Sequence, residues 1–176
     1  MTIRPAVLED ARAIAEVHVR TWRAAYIDIV PQAFLDGLSV DKREAAFREA
    51  LARGKPEMWV AVADSQVIGW IAFGPSRDVG APPDVGEIEA VYVLPEHWST
   101  GVGRDLWRAA VGRLSQLGFT SFTLWVLEEN ARAIRFYSSA GMQPNLASRK
   151  LHSIGGRQLG EVRYESQAGV PPASGA

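Results

Sequence analysis

The spacing of apolar positions changes along the chain, and each change marks an element. Ile14, Val17, Thr21 and Ala24 recur at helical spacing behind Glu9 and Asp10, which sit where acidic side chains favour a helix start. Ahead of them, Thr2 to Arg4 predicts a short first strand. A second helical region follows Pro31, takes in Phe34, Leu35 and Leu38, and resumes over residues 41–52 with Ala45, Phe47 and Leu51 inward. Residues 58–63 and 66–73 then show the short apolar runs of strands. Asp64 and Ser65 between them predict a hairpin, with Trp59 and Trp70 helping to fill the core.

Pro75, Gly80, Pro82 and Pro83 make an irregular loop of residues 74–86. Ile88, Val91, Tyr92 and Val93 form the next strand, which Pro95 ends for want of an N–H. Gly101 and Gly103 open a helix whose inward face is Val102, Leu106, Ala110, Leu114 and Leu117, with Gly118 closing it. The β-branched and aromatic run from Thr120 to Leu127 suits a buried strand. Asn130 then caps a helix that turns Ala133, Phe136 and Ala140 inward and stops at Gly141. Leu146 to His152 and Leu159 to Glu165 predict a last hairpin around Gly155 and Gly156. Hairpins demand antiparallel pairs and the crossover over residues 87–127 a parallel one, so the class is mixed α/β. One domain over residues 1–166 is expected, with 167–176 as a disordered tail.

Composition narrows the function. A chain of 176 residues can bury one sufficient core, and zero cysteines exclude a disulfide framework, a thiolate metal site and a cysteine nucleophile. A net charge of -1 gives no general reason to bind nucleic acid. The N-terminus carries no secretory pattern and no stretch approaches the roughly 20 apolar residues of a membrane span, so a cytoplasmic protein without membrane or nucleic-acid partners is expected. His97 and His152 lack ligand partners at useful spacing, and no metal site is expected. No Gly-x-Ser-x-Gly nucleophile motif occurs.

The strand, loop and Gly101-x-Gly103 order builds an anion site. A helix N-terminus leaves about four N–H groups unpaired and carries roughly half a positive charge, so phosphate is the expected occupant of the amides from Ser99, Thr100, Gly101, Val102, Gly103 and Arg104. The Arg104 side chain either adds a charged contact or faces solvent. A dinucleotide fingerprint is excluded because its third glycine would stand where the chain has Leu106.

Two stretches, AVYVLPEHWSTGVGRDLW and LWVLEENARAIRFYSSAGMQP, resemble the acetyl-CoA signature and the following strand and helix of the GNAT superfamily of N-acetyltransferases. The resemblance runs from Glu87 to Met142, about a third of the chain, and departs from the pattern at Trp98, where Gln or Arg is usual. It implies a central, mostly antiparallel twisted sheet of about six to seven strands with helices on both faces, and a V-shaped splay between the fourth and fifth strands. It also implies transfer of an acetyl group from acetyl-CoA directly to a primary amine of a small molecule or peptide, and it is compatible with a homodimer.

Roles follow by the same resemblance. Val91, Tyr92 and Val93 would pair with the pantetheine amides, and an N–H near Val93 would polarise the thioester carbonyl. An amine with a pKa of about 10.4 needs a base. Glu87 matches the family's base, and Glu89 projects to the same side of an ideal strand unless a bulge intervenes. Tyr137 is the expected acid for the leaving thiolate, and Asn130 a cofactor contact, a helix cap, or both. His18, Trp22 and Tyr26 share a helix face, which packs in the core or, through Trp22 and Tyr26, walls an acceptor pocket. The alternative is a non-catalytic acyl-CoA sensor of the same fold, against which Glu87, Asn130 and Tyr137 argue.

Overall fold

The computed structural model describes residues 1–166, so the expected tail at 167–176 lies outside the described residues. In chain order the elements are β1 (Thr2–Pro5), a 3₁₀ turn (Leu8–Asp10), α1 (Ala11–Ala25), α2 (Gln32–Asp36), α3 (Val40–Arg53), β2 (Glu57–Ala63), β3 (Gln66–Pro75), β4 (Val85–Val93), a 3₁₀ turn (Pro95–His97), α4 (Val102–Gln116), β5 (Ser121–Leu127), α5 (Ala131–Ser139), β6 (Met142–Ile154) and β7 (Arg157–Ser166). The seven strands make one sheet in the order β1-β2-β3-β4-β5-β7-β6.

Every neighbouring pair is antiparallel except β4 and β5. That parallel pair meets over only three positions, Val85 with Ser121, Gly86 with Phe122 and Glu87 with Thr123. Beyond them β5 stays paired to β7 while β4 stays paired to β3. The sheet therefore splits into a V between its fourth and fifth strands, as expected.

Helices cover both faces. On β3, Trp70 turns towards α1, with its ring 6.0 Å from that of His18. The adjacent Gly69 faces α4, where an added Cβ would lie 3.2 Å from Leu106 Cδ1. The lack of a side chain at 69 lets α4 seat its apolar stripe of Val102, Leu106, Ala110 and Leu114 against the sheet. Thr21 of α1 donates its hydroxyl to Val93 O at 3.1 Å, tying that helix to the end of β4.

Several boundaries differ from the pattern. The irregular segment between β3 and β4 is 76–84, because Pro75 and Gly86 both still pair across the ladder. The last hairpin begins at Met142, its pairing interrupted between Asn145 and Lys150 by a register shift. Ala45 is exposed, and α3 packs through Phe47, Ala50 and Leu51. Trp59 is half-buried at the core margin, whereas Trp70 is inside it. The Asp64–Ser65 turn holds both residues at positive φ, 49° and 64°, the twist that suits a two-residue hairpin.

Candidate active site

The V leads directly into the glycine loop. Leu94 N–H donates to Ile68 O at 2.9 Å, so strand alternation turns the N–H and C=O of Val93 away from β3 and towards the split. Val93 O accepts from Trp98 Nε1 at 2.7 Å as well as from Thr21. After the 3₁₀ turn, Ser99 at φ 63° and Gly101 at φ 96° both adopt left-handed conformations, which curl successive amides into a concavity. Asp105 N–H makes the first helical bond, to Gly101 O at 3.0 Å, and among the described residues no side chain caps α4. The N–H groups of Val102, Gly103 and Arg104 are thus the open end of a helix of fifteen residues. The contrast with α5 is direct: there Asn130 Oδ1 accepts from Ala133 N at 3.1 Å, so its side chain caps a helix.

Glu87 and Glu89 meet on one arginine. Glu87 is 1% exposed and accepts from the Arg77 backbone N–H at 2.8 Å and from its guanidinium Nε at 3.2 Å and Nη2. Glu89 lies 3.1 Å from Arg77 Nη1. A bulge separates the two carboxylates, because Ala72 pairs with Ala90 and Phe73 with Ile88, leaving Glu89 without a cross-strand partner. Burial pushes the Glu89 carboxyl above its ordinary pKa; Arg77 opposes the rise and Glu87 adds to it. Arg77 is itself held in place by its loop. Asp78 accepts from Trp125 Nε1 at 3.1 Å and from Arg163 Nη1 at 3.0 Å, pinning the segment to β5 and β7. Beneath it lies a cleft of about 440 Å³ lined by Asp78, Val85, Arg163 and Thr123, the last being the cross-strand partner of Glu87.

A second cluster is aromatic. Trp22 and Tyr26 pack with ring centroids 4.6 Å apart, and Tyr26 interacts through its side chain with Tyr92 and Asn130. Tyr137 is buried against Trp107 and Phe136. Burial, and then the neighbouring Tyr26, raise its pKa, so the phenol stays protonated at neutral pH. The α1 stripe divides. His18 is 6% exposed among Trp22, Phe47, Trp70 and Tyr92, and neither ring nitrogen has a hydrogen-bond partner among the described residues. Burial, with a smaller effect of Arg43, pushes its pKa down to about 3, so the ring is neutral core. Among the described residues no cluster of three or more His, Cys, Asp or Glu could hold a metal ion, and no helix is long and apolar enough to cross a membrane.

Sequence pattern missed three residues at this site: Arg77, the Trp98 indole as a donor, and Arg132, whose guanidinium carbon lies 4.0 Å from the Trp98 ring centroid. Only the departure at Trp98 signalled that this corner is built differently.

The acetyltransferase (GNAT) family model matches residues 15–142, and the chain belongs to that family. It is thereby an acetyltransferase. An uncharacterized N-acetyltransferase of Bacillus subtilis, YuaI, is 35% identical over 165 residues, covering 92% of this chain and 90% of the relative. Solved structures share the fold. A PaiA N-acetyltransferase from Thermoplasma acidophilum in complex with coenzyme A superposes with a TM-score of 0.72 at 20% identity, covering 95% of this chain and 99% of that one. YncA, a putative acetyltransferase from Salmonella typhimurium with acetyl-CoA, gives 0.71 at 24% identity and 98% of both chains.

Proposed function

We propose that this chain transfers an acetyl group from acetyl-CoA directly to a primary amine of a small molecule or peptide. The observation that carries the reading is the continuity of the V, open beyond Glu87 and Thr123, with the uncapped N-terminus of α4. That arrangement suits a ligand with a phosphate at one end and an extended amide-bearing arm at the other. Coenzyme A has that shape. The complexes of PaiA with coenzyme A and of YncA with acetyl-CoA support the choice.

In this reading the amides from Ser99 to Arg104 bind phosphate, and the edge from Val91 to Val93 pairs with the pantetheine arm. The Val93 N–H points towards the split and donates to the thioester carbonyl oxygen. Glu89 is the base. Glu87 is engaged by three donors of Arg77, whereas Glu89 is less buried, makes one charged contact and has a pKa shifted towards neutrality. Glu89, through a water, takes the proton the amine loses as its nitrogen bonds the acetyl carbon and the carbon–sulfur bond breaks. Tyr137 supplies the proton that the sulfur gains. Trp22 and Tyr26 wall the acceptor side, and Asn130 holds the helix that carries Tyr137.

Release of free coenzyme A across an amine panel, with calorimetric titration of acetyl-CoA, tests the reading. Amine-dependent release is expected. Binding without release would replace the transferase with an acyl-CoA sensor, and no binding would overturn the phosphate site.

A further inference from the structure

Arg132 occupies the second position of α5, at the end of a helix where a cation is electrostatically disfavoured. No ion pair compensates it among the described residues. It is nevertheless held: its guanidinium carbon lies over the Trp98 ring, 4.0 Å from the centroid, and Trp98 is fixed by its 2.7 Å indole bond to Val93 O. The face of α5 that carries Arg132 lies against the glycine loop. Phe136, one turn further along that face, would sit 3.5 Å from a Cβ added at Gly103. Phe136 thus packs beside Gly103 at ordinary van der Waals distance, and the same helix brings a cation to the loop.

An arginine laid on an aromatic ring still presents its N–H groups around its edge, in the plane that matches phosphate oxygens. We propose that Arg132, on its Trp98 platform, is a phosphate-binding residue of this chain, placed over the coenzyme A diphosphate beside the Ser99 to Arg104 amides. This rests on the acetyl-CoA reading. Trp98 then leaves the loop with its positive charge: the ring at 98 orients a cation contributed from α5.

Titration calorimetry with coenzyme A and dephospho-coenzyme A tests this on the full chain and on Arg132→Ala, Arg132→Lys, Trp98→Leu and the double variant Trp98→Leu with Arg132→Ala. Arg132→Ala is expected to weaken both ligands about tenfold with an unchanged melting temperature. Lys should recover part of the loss, and the double variant should bind no more weakly than Trp98→Leu alone. Tight binding by the parent chain with an unaltered Arg132→Ala variant overturns the proposal and spares the acetyl-CoA reading. A loss seen with coenzyme A and absent with dephospho-coenzyme A moves the contact to the 3′-phosphate and overturns the diphosphate assignment. Failure of the parent chain to bind either ligand overturns both.

Discussion

Arg77 closes on Glu87 through both its backbone N–H, at 2.8 Å, and its guanidinium, so a loop residue and a strand residue ten positions apart act as one unit. The same guanidinium pairs with Glu89 at 3.1 Å and holds its pKa down. Removing it in Arg77→Gln leaves two carboxylates facing each other, which lifts the Glu89 pKa further. A base works in its ionised form, so the acidic limb of kcat/KM moves to higher pH, and Arg77→Lys brings part of it back. A pH–rate series on the three proteins decides it; a limb that stays put in Arg77→Gln removes the arginine from control of the base.

The two glutamates separate by kind of defect. Glu89→Gln should lower kcat by about 10²- to 10⁴-fold, the usual worth of a general base, with acetyl-CoA affinity near the parent value. Glu87→Gln instead removes the buried anchor of Arg77. Its loss should appear as a lower melting temperature and a displaced acidic limb, with a smaller drop in kcat. Steady-state kinetics beside thermal melts would reverse the two roles if Glu87→Gln proved the slower enzyme with an intact fold.

The difference between these residues shows what pattern carries and what it does not. Alternation places Glu87 and Glu89 on one side of β4, and the GNAT-like order of β4, glycines and α4 follows from local periodicity and turn chemistry. Arg77 is invisible in that reading, because its importance comes from Asp78 being tied to β5 and β7, contacts spanning 47 and 85 residues of chain. Arg132 is hidden for the same reason, since only the packing of α5 on Gly103 brings it to Trp98. The start of β6 was obscured differently. Gln143, Pro144 and Asn145 lack the apolar alternation of a half-buried strand, and they pair there as part of the outermost strand of the sheet.

Tyr137 should prove separable from binding. Its hydroxyl is the only atom that Tyr137→Phe removes, and the ring contacts with Trp107 and Phe136 remain possible. Turnover should fall about 10²-fold or more with the acetyl-CoA dissociation constant within a factor of two or so. The raised pKa keeps the phenol in its donor form across the neutral range. Single-turnover thiol release together with calorimetry would measure both quantities, and unchanged turnover would remove the acid role.

His18 gives the fold a pH dependence of its own, set by burial of its ring. Its folded pKa is pushed down to about 3 from 6.5, while the unfolded chain binds a proton at the ordinary value. Between those limits the unfolded state holds the extra proton. The stability associated with the neutral ring is therefore full above pH 6.5 and is lost as the pH falls through this window. Each unit is worth about 1.4 kcal/mol, so roughly 2 kcal/mol should disappear between pH 6.5 and pH 5 from this group alone. His18→Phe keeps an aromatic ring against Trp22 and Trp70 and removes two nitrogens that have no hydrogen-bond partner among the described residues. The substituted protein should match or exceed the parent at pH 7 and lose about 2 kcal/mol less on acidification to pH 5. Urea denaturation at the two pH values tests this, and parallel losses in both proteins would show that His18 does not carry the acid sensitivity.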